Sequence, residues 1–236
     1  MKPSGKSWVK KAKWHAAIEA VKHVKDGFVI GLGSGSTVVY AAEEMGRKVK
    51  RGELRIKVVP TSYQSLMLAV DNGIPVTTLD ENPILDLTID GADQIDESLN
   101  LIKGMGGALT REKIVASASK ELIIIADESK KVGFLGENNH PVPIEILPFA
   151  LKPAMLKIEE LGGKPRLRES HGKVGPVVTD NGNFIVDAYF GVIKNPADLD
   201  MRLDSIPGVV ETGLFAGMAK IAYLGKQNGV ERLDRK

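Results

Sequence analysis

Residues 121–127, ELIIIAD, are apolar through the whole interior of the run. A half-solvated strand alternates apolar and polar residues, so a run like this one has to be covered on both faces. FVIGLGSGST (28–37) opens in the same way and breaks into a glycine loop. LRIKVVPTS (54–62), IPVTTL (74–79) and ILDLTID (84–90) read as further strands. Between them lie helical patterns: residues 7–25 closed by KDG, VVYAAEEMGRKV behind the glycine loop, a segment from Tyr63 to Asp71, and TREKIVASASK (110–120). Apolar strands alternating with helices predict an α/β fold, Rossmann-like, with a mainly parallel sheet and helices on both faces.

After about Gly133 the texture changes. HPVPIEILP is strand-like but carries prolines, and ALKPAMLKIEELGG is a helix with glycines just past its end. KPRLRE and GPVVTDNGNFIVDAYF read as strands, with Asn181-Gly182 as a hairpin turn. NPADLDMRLDSIPG is a second helix, and VVETGLF a last strand. The order β-α-β-β-α-β predicts a smaller α+β domain of the split βαβ, ferredoxin-like type. AKIAYLGK is expected to return to the first domain. The boundaries expected from this reading are 1–133 and 208–236 for the Rossmann-like catalytic domain. The small domain takes 134–207 and offers a natural oligomer contact.

Composition removes several classes of function. A formal net charge of +2 in 236 residues gives no electrostatic ground for a nucleic-acid or membrane partner. The absence of cysteine excludes disulfides, thiol catalysis and thiolate metal sites, and fits a cytoplasmic protein. No apolar run approaches the length of a membrane span.

Two glycine loops and one acidic motif remain as candidates for chemistry. GLGSGST (Gly31–Thr37) sits between a strand and a helix, where backbone N–H groups meet an anion at the helix N-terminus. It lacks the third glycine of the dinucleotide fingerprint and the G-K-[ST] of a P-loop. Its hydroxyls, Ser34, Ser36 and Thr37, suit a small phosphate or sugar oxygens; it serves equally as a tight turn with Ser36 or Thr37 as the helix cap. KGMGGALTREK (Lys103–Lys113) is a second glycine loop entering a helix. Thr110 is its expected cap, and Glu112 falls where a carboxylate favours the helix dipole. The same glycines present amides to a developing oxyanion.

LTIDGADQID (87–96) brings Asp90, Asp93 and Asp96 to the end of a buried strand, where open α/β sheets bind ligands. It does not fit a Ca²⁺ loop. Asp90 and Asp93 leave a Mg²⁺ site open, although His15, His23, His140 and His171 are scattered and offer it no obvious help. Two carboxylates three apart suit a polyol or acid–base work, and equally a turn in which aspartates cap backbone amides; Asp96 is the more structural of the three.

Taken together and in this order, GLGSGST, TSYQS, DGADQID, KGMGGALTREK and ADESKKV resemble the ribose-5-phosphate isomerase type A family. DNGNFIVD and PGVVETGLF near the C-terminus are similar to it as well. The resemblance implies a cofactor-free and metal-independent aldose–ketose isomerase. It would interconvert ribose 5-phosphate and ribulose 5-phosphate through a cis-enediol, in the non-oxidative pentose phosphate pathway. It implies Glu112 as the base, Asp90 and Asp93 on the sugar hydroxyls and in ring opening, and Lys103 on the enediolate oxygens. Ser34, Gly35, Ser36 and Thr37 would hold the substrate with Gly104 and Gly106, and Lys10 and Lys130 would meet the phosphate. It further implies a homodimer or homotetramer. Family members often carry an acidic residue where this chain has Gln94, and a small one where it has Met105. A sugar-phosphate-binding module without catalysis would need no base. An acyl-CoA transferase-like enzyme would need an adenine or pantetheine site that the chain does not display.

Overall fold

The computed structural model describes residues 5–172 and 174–235, with side chains from Trp8 onward. In chain order the elements begin with α1 (Gly5–Val21), β1 (Val29–Leu32), α2 (Val38–Lys50), β2 (Lys57–Pro60) and α3 (Tyr63–Asp71). They continue with β3 (Leu87–Asp90), the short β4 (Gln94–Ile95) and β5 (Leu101–Ile102), α4 (Leu109–Ser117) and β6 (Leu122–Asp127). Next come β7 (Val142–Ile146), α5 (Leu151–Glu160), β8 (Lys164–Leu167), β9 (Phe184–Tyr189) and α6 (Pro196–Asp204). The chain closes with β10 (Val209–Thr212), β11 (Leu214–Phe215), β12 (Ile221–Lys226) and β13 (Gly229–Asp234). Two compact units result. The first comprises Met1–Ala92, Arg111–Lys130 and Met218–Lys236, and the second Asp93–Thr110 and Lys131–Gly217.

The first unit is built on a sheet in the order β13-β12-β6-β3-β1-β2. Its strands run parallel except β13, which pairs antiparallel with β12. Alternation along each strand sends neighbouring residues to opposite faces. On one face Ile30, Leu32, Val58, Ile89 and Ile123 pack on Ala16, Ala17 and Ala20 of α1 and on Ala41, Ala42 and Met45 of α2. On the other, Val29 and Val59 meet Leu85 and Val115 of α4. Gly31 makes that second contact possible: a Cβ there would stand 2.0 Å from Thr88 Oγ1 and 2.5 Å from Val115 Cγ1. Any side chain at residue 31 would therefore push α4 off the sheet. The β12 segment within AKIAYLGK does join this sheet, beside β6.

The segment 74–79 is not the strand its composition suggests. It makes a single bridge, Val76 to Val58, with the Val58 and Thr77 amides donating to Pro75 O and Val58 O. Beyond it the Thr77 hydroxyl turns to the Glu81 carboxylate, and the Asn82 amide donates to Thr78 O, closing a turn.

Asp86 ties the entry of β3 to its neighbours. It accepts from the Val29 amide at 3.0 Å and from Lys120 Nζ at 2.7 Å. The Lys120 hydrogen bond, then the Val29 amide and the lysine charge, hold its carboxyl below the usual carboxylate value, against burial. A depressed folded-state pKa adds stability that is complete above the unfolded value of about 4 and is lost as pH falls through the folded one. Asp86→Asn is therefore expected to cost about 1 kcal/mol at pH 7, with the gap to wild type closing as pH falls below the unfolded value of about 4. Urea unfolding across that range reads it; a gap that stays constant with pH would count against the ion pair as its source.

The second unit carries an antiparallel sheet in the order β10-β7-β9-β8, with α5 and α6 as the crossover helices. β9 lies between β7 and β8, the split βαβ arrangement. Ile144, Ile146, Val186 and Ala188 of this sheet pack on Ala154 and Ile158 of α5 and Leu203 of α6. β11, β5 and β4 form a further short sheet.

Two expected strands are shorter than the sequence suggests. VVETGLF splits at Gly213, whose amide donates to Pro143 O at 2.7 Å and whose carbonyl accepts the Lys103 amide at 2.9 Å. The residues before it pair with β7 and those after it with β5. Residues 176–178 make isolated bridges only, Glu169 to Pro176 and Val178 to Phe184. The turn at Asn181-Gly182 is present, with Gly182 at φ +83° and its amide bonded to Thr179 O. The division into units also departs from the expected 134–207: residues 93–110, 131–133 and 208–217 fall in the second unit as well, with β10 paired to β7 and β11 to β5.

Candidate active site

In the first unit the chemistry collects at the carboxyl ends of β1, β3 and β6. The loop after β1 carries Ser34, whose hydroxyl meets Thr61 Oγ1 at 2.9 Å and Ser62 Oγ at 2.6 Å. Ser62 caps α3 through a reciprocal bond with Ser65, so the TSYQS segment is ordered by its own cap. The Gly35 amide donates to Gln64 Oε1 at 2.9 Å, and Gly35 itself sits at φ +105°. Thr37 is buried at the start of α2 and makes no side-chain cap bond, while Ser36 is exposed.

Asp90 closes β3 fully buried. Its Oδ1 accepts the Ser34 amide at 3.1 Å and the Gly91 amide at 2.7 Å. Gly33 leaves the space it needs, since a Cβ there would fall 2.0 Å from that same oxygen. The first glycine loop and the acidic motif, 56 residues apart, are thus one structure.

Of the lysines near the N-terminus, Lys13 reaches this loop. Its Nζ donates to Ser36 Oγ at 2.9 Å and stands 3.8 Å from Asp127 Oδ2, at the end of β6. Lys10 is exposed on α1, three residues and nearly one turn earlier. Lys130 is half-buried in the short 3₁₀ turn after β6. Lys13 carried no sequence signal of its own beside Lys10 and Lys11. Glu112 lies in the first turn of α4 with only 5% of its surface exposed. A solvated helix-dipole carboxylate would not be so enclosed.

In the second unit Lys103 follows β5 and is 3% exposed. Its amide is held by Gly213 O, and its Nζ stands 5.4 Å from the Phe215 ring centroid. Gly104 turns the chain at φ +103° and Gly107 at +81°, with the Gly107 amide donating to Gly104 O at 3.0 Å. Gly106 has open space where a Cβ would project. Asp93 is half-buried, and its Oδ2 accepts the Met105 amide at 2.9 Å.

Asp96 is structural, as expected. Its carboxylate accepts the Ser98 and Asn100 amides and the Asn100 side chain. Gln94 is structural too, its side-chain amide exchanging hydrogen bonds with the backbone at Gly136 and Glu137. Thr110 does not cap α4 but is the second residue of the helix. Its hydroxyl donates to Glu145 at 2.5 Å. Glu145, fully buried on β7, also accepts from Thr179, Asn181 and Asn183.

The first unit thus gathers hydroxyls, an enclosed carboxylate on a helix and buried acidic strand ends, and the second a buried lysine before a glycine turn, all on an α/β scaffold. The match to known proteins supplies the family. Residues 57–229 match the family model of ribose 5-phosphate isomerase A (phosphoriboisomerase A), and the chain belongs to that family. It is 51% identical to the ribose-5-phosphate isomerase A of Methanothermobacter thermautotrophicus, over 92% of this chain and 95% of the relative. A D-ribose-5-phosphate isomerase solved in complex with phospho-erythronic acid superposes with a TM-score of 0.94 at 46% identity, covering 96% of this chain and 99% of that one. The isomerase of Methanocaldococcus jannaschii gives 0.92 at 42% identity, over 95% and 99%.

Proposed function

We propose that this ribose 5-phosphate isomerase converts its substrate to ribulose 5-phosphate with Glu112 as the base. Glu112 takes the C2 proton of the open-chain aldose, and the C–H electron pair forms the C1–C2 double bond. The C1 carbonyl oxygen becomes the oxyanion of a cis-enediol, whose charge Lys103 stabilises with the amides of Gly104 and Gly106. The proton of the C2 hydroxyl passes to the C1 oxygen, and as the C2 carbonyl forms Glu112 returns its proton to C1, which gives the ketose. Asp90 and Asp93 hold the sugar hydroxyls and assist ring opening. Ser34, Gly35, Ser36 and Thr37 take the phosphate with Lys10 or its neighbour Lys13, and Lys130. No metal or cofactor enters this scheme.

The observation that carries the reading is the enclosure of Glu112. A base working near neutral pH profits from a carboxylate removed from bulk water, and this one stands on a helix seated against Gly31. Incubating the protein with ribose 5-phosphate in deuterated water, with and without chelator, tests it. Deuterium is expected at C1 or C2 in wild type regardless of chelator, and not in Glu112→Gln. Turnover in the variant would remove Glu112 as base, and chelator sensitivity would overturn the metal-free scheme.

The chain is proposed to act in the cytoplasm as a homodimer or homotetramer. Among the described residues no helix is long and apolar enough to cross a membrane. Leu147 and Phe149 of the second unit are left exposed, as a contact between copies would use them. Light scattering is expected to give two or four times the 25.5 kDa of one chain, and a monomer mass would overturn this.

A further inference from the structure

Arg168 stands just past β8, in a segment the sequence marks only as strand-like. Its own backbone is fixed on both sides: its amide donates to Ile185 O at 2.8 Å, and its carbonyl accepts the Val177 amide at 2.9 Å. The guanidinium meets the Asp187 carboxylate of β9 through Nε and Nη2, with Nε to Oδ2 at 2.8 Å. Both side chains are mostly buried, 13% and 14% exposed. This is the two-pronged geometry that arginine makes and lysine cannot.

The remaining nitrogen, Nη1, points into the second glycine loop. It donates to Gly104 O at 2.8 Å and to Met105 O at 3.1 Å. The carbonyl of Gly104 and the amide of Met105 belong to one planar peptide group. The carbonyl end of that group is held by Arg168 together with the Gly107 amide, and its N–H end donates to Asp93 Oδ2 at 2.9 Å. Asp187, Arg168, the 104–105 peptide and Asp93 therefore form one continuous chain of hydrogen bonds. A peptide cannot turn about its own C–N bond, so fixing its oxygen fixes the direction in which its N–H meets Asp93.

We propose that Arg168, oriented by Asp187, is a positioning residue that aims the Asp93 carboxylate through the Gly104–Met105 peptide. The inference rests on the role given to Asp93 above. Displacing a substrate-holding group by about 1 Å costs on the order of 10²-fold in rate. Arg168→Met is accordingly expected to lower kcat/KM for ribose 5-phosphate by about 10²-fold, with Arg168→Lys and Asp187→Asn falling between it and wild type.

A double-mutant cycle separates aiming from general support of the fold. In an Asp93→Asn background the Arg168→Met change is expected to cost less than about threefold, because the group it aims is already gone. A merely structural arginine would give effects that multiply, and that result would overturn the relay. So would a wild-type rate in Arg168→Met when Asp93→Asn is slow. A wild-type rate in Asp93→Asn would remove the reading of Asp93, and the relay with it. Should Arg168→Met fail to fold, as judged by thermal unfolding, the cycle is run with Arg168→Lys and the same two outcomes decide it.

Discussion

Glu112→Gln is expected to lower kcat for ribose 5-phosphate by about 10²–10⁴-fold, the range that a positioned general base contributes. The amide matches the carboxylate in shape, so KM and the melting temperature should stay close to wild type while proton transfer is lost. The 5% exposure of Glu112 makes the size of the effect informative. Water has little access to the group it would have to replace, so bulk solvent is a poor substitute for the base. Residual activity within tenfold of wild type would place the base elsewhere and leave Glu112 as a helix-dipole carboxylate.

Lys103→Met should be the next most damaging change, with kcat falling by about 10²–10³-fold, as when one donor to a developing oxyanion is removed. Methionine keeps an apolar stem of similar length against Phe215, so the substitution removes the charge with little change in packing. Lys103→Arg keeps a cation but spreads it over a planar fork, and should recover only part of the rate. A split in which KM rises and kcat holds would mean that Lys103 binds the substrate without stabilising the enediolate.

Much of the fold was legible because burial on both faces leaves a plain mark. The LIIIA interior of ELIIIAD has no polar side chain to show to solvent, and it lies within β6, paired on both sides. IPVTTL also carries β-branched and apolar residues, yet they bridge an edge strand once and then turn into the side-chain bonds of Thr77. Composition records how apolar a segment is and not how many partners it finds. VVETGLF likewise reads as one strand, and only the close approach of Gly213 to the Lys103 backbone explains its division between two sheets.

Candidate site residues are legible where they sit inside a motif, and hidden where a residue's partners are remote in sequence. Asp90 stands in LTIDGADQID and Glu112 and Lys103 in KGMGGALTREK, and their proposed roles rest on the family resemblance those motifs carry. Lys13 was one of a run of similar lysines, and its contact with Ser36 spans 23 residues that carry no shared pattern. Glu145 and Arg168 lie in strand-like text, and their partners are 35 and about 64 residues away. Thr110 is deceptive for the same reason, since a hydroxyl near a helix start suggests a local cap and here bonds a remote carboxylate instead.

The path of the chain between the two units carries a lesson for recombining relatives. Two of the crossings fall at Ala92–Asp93 and Thr110–Arg111, inside DGAD and LTREK themselves. A chimera that exchanged one unit between two family members would have to be spliced within the most chemically demanding words of the sequence. Fragments of this protein are thus poor currency for shuffling, and variation is better sought one residue at a time.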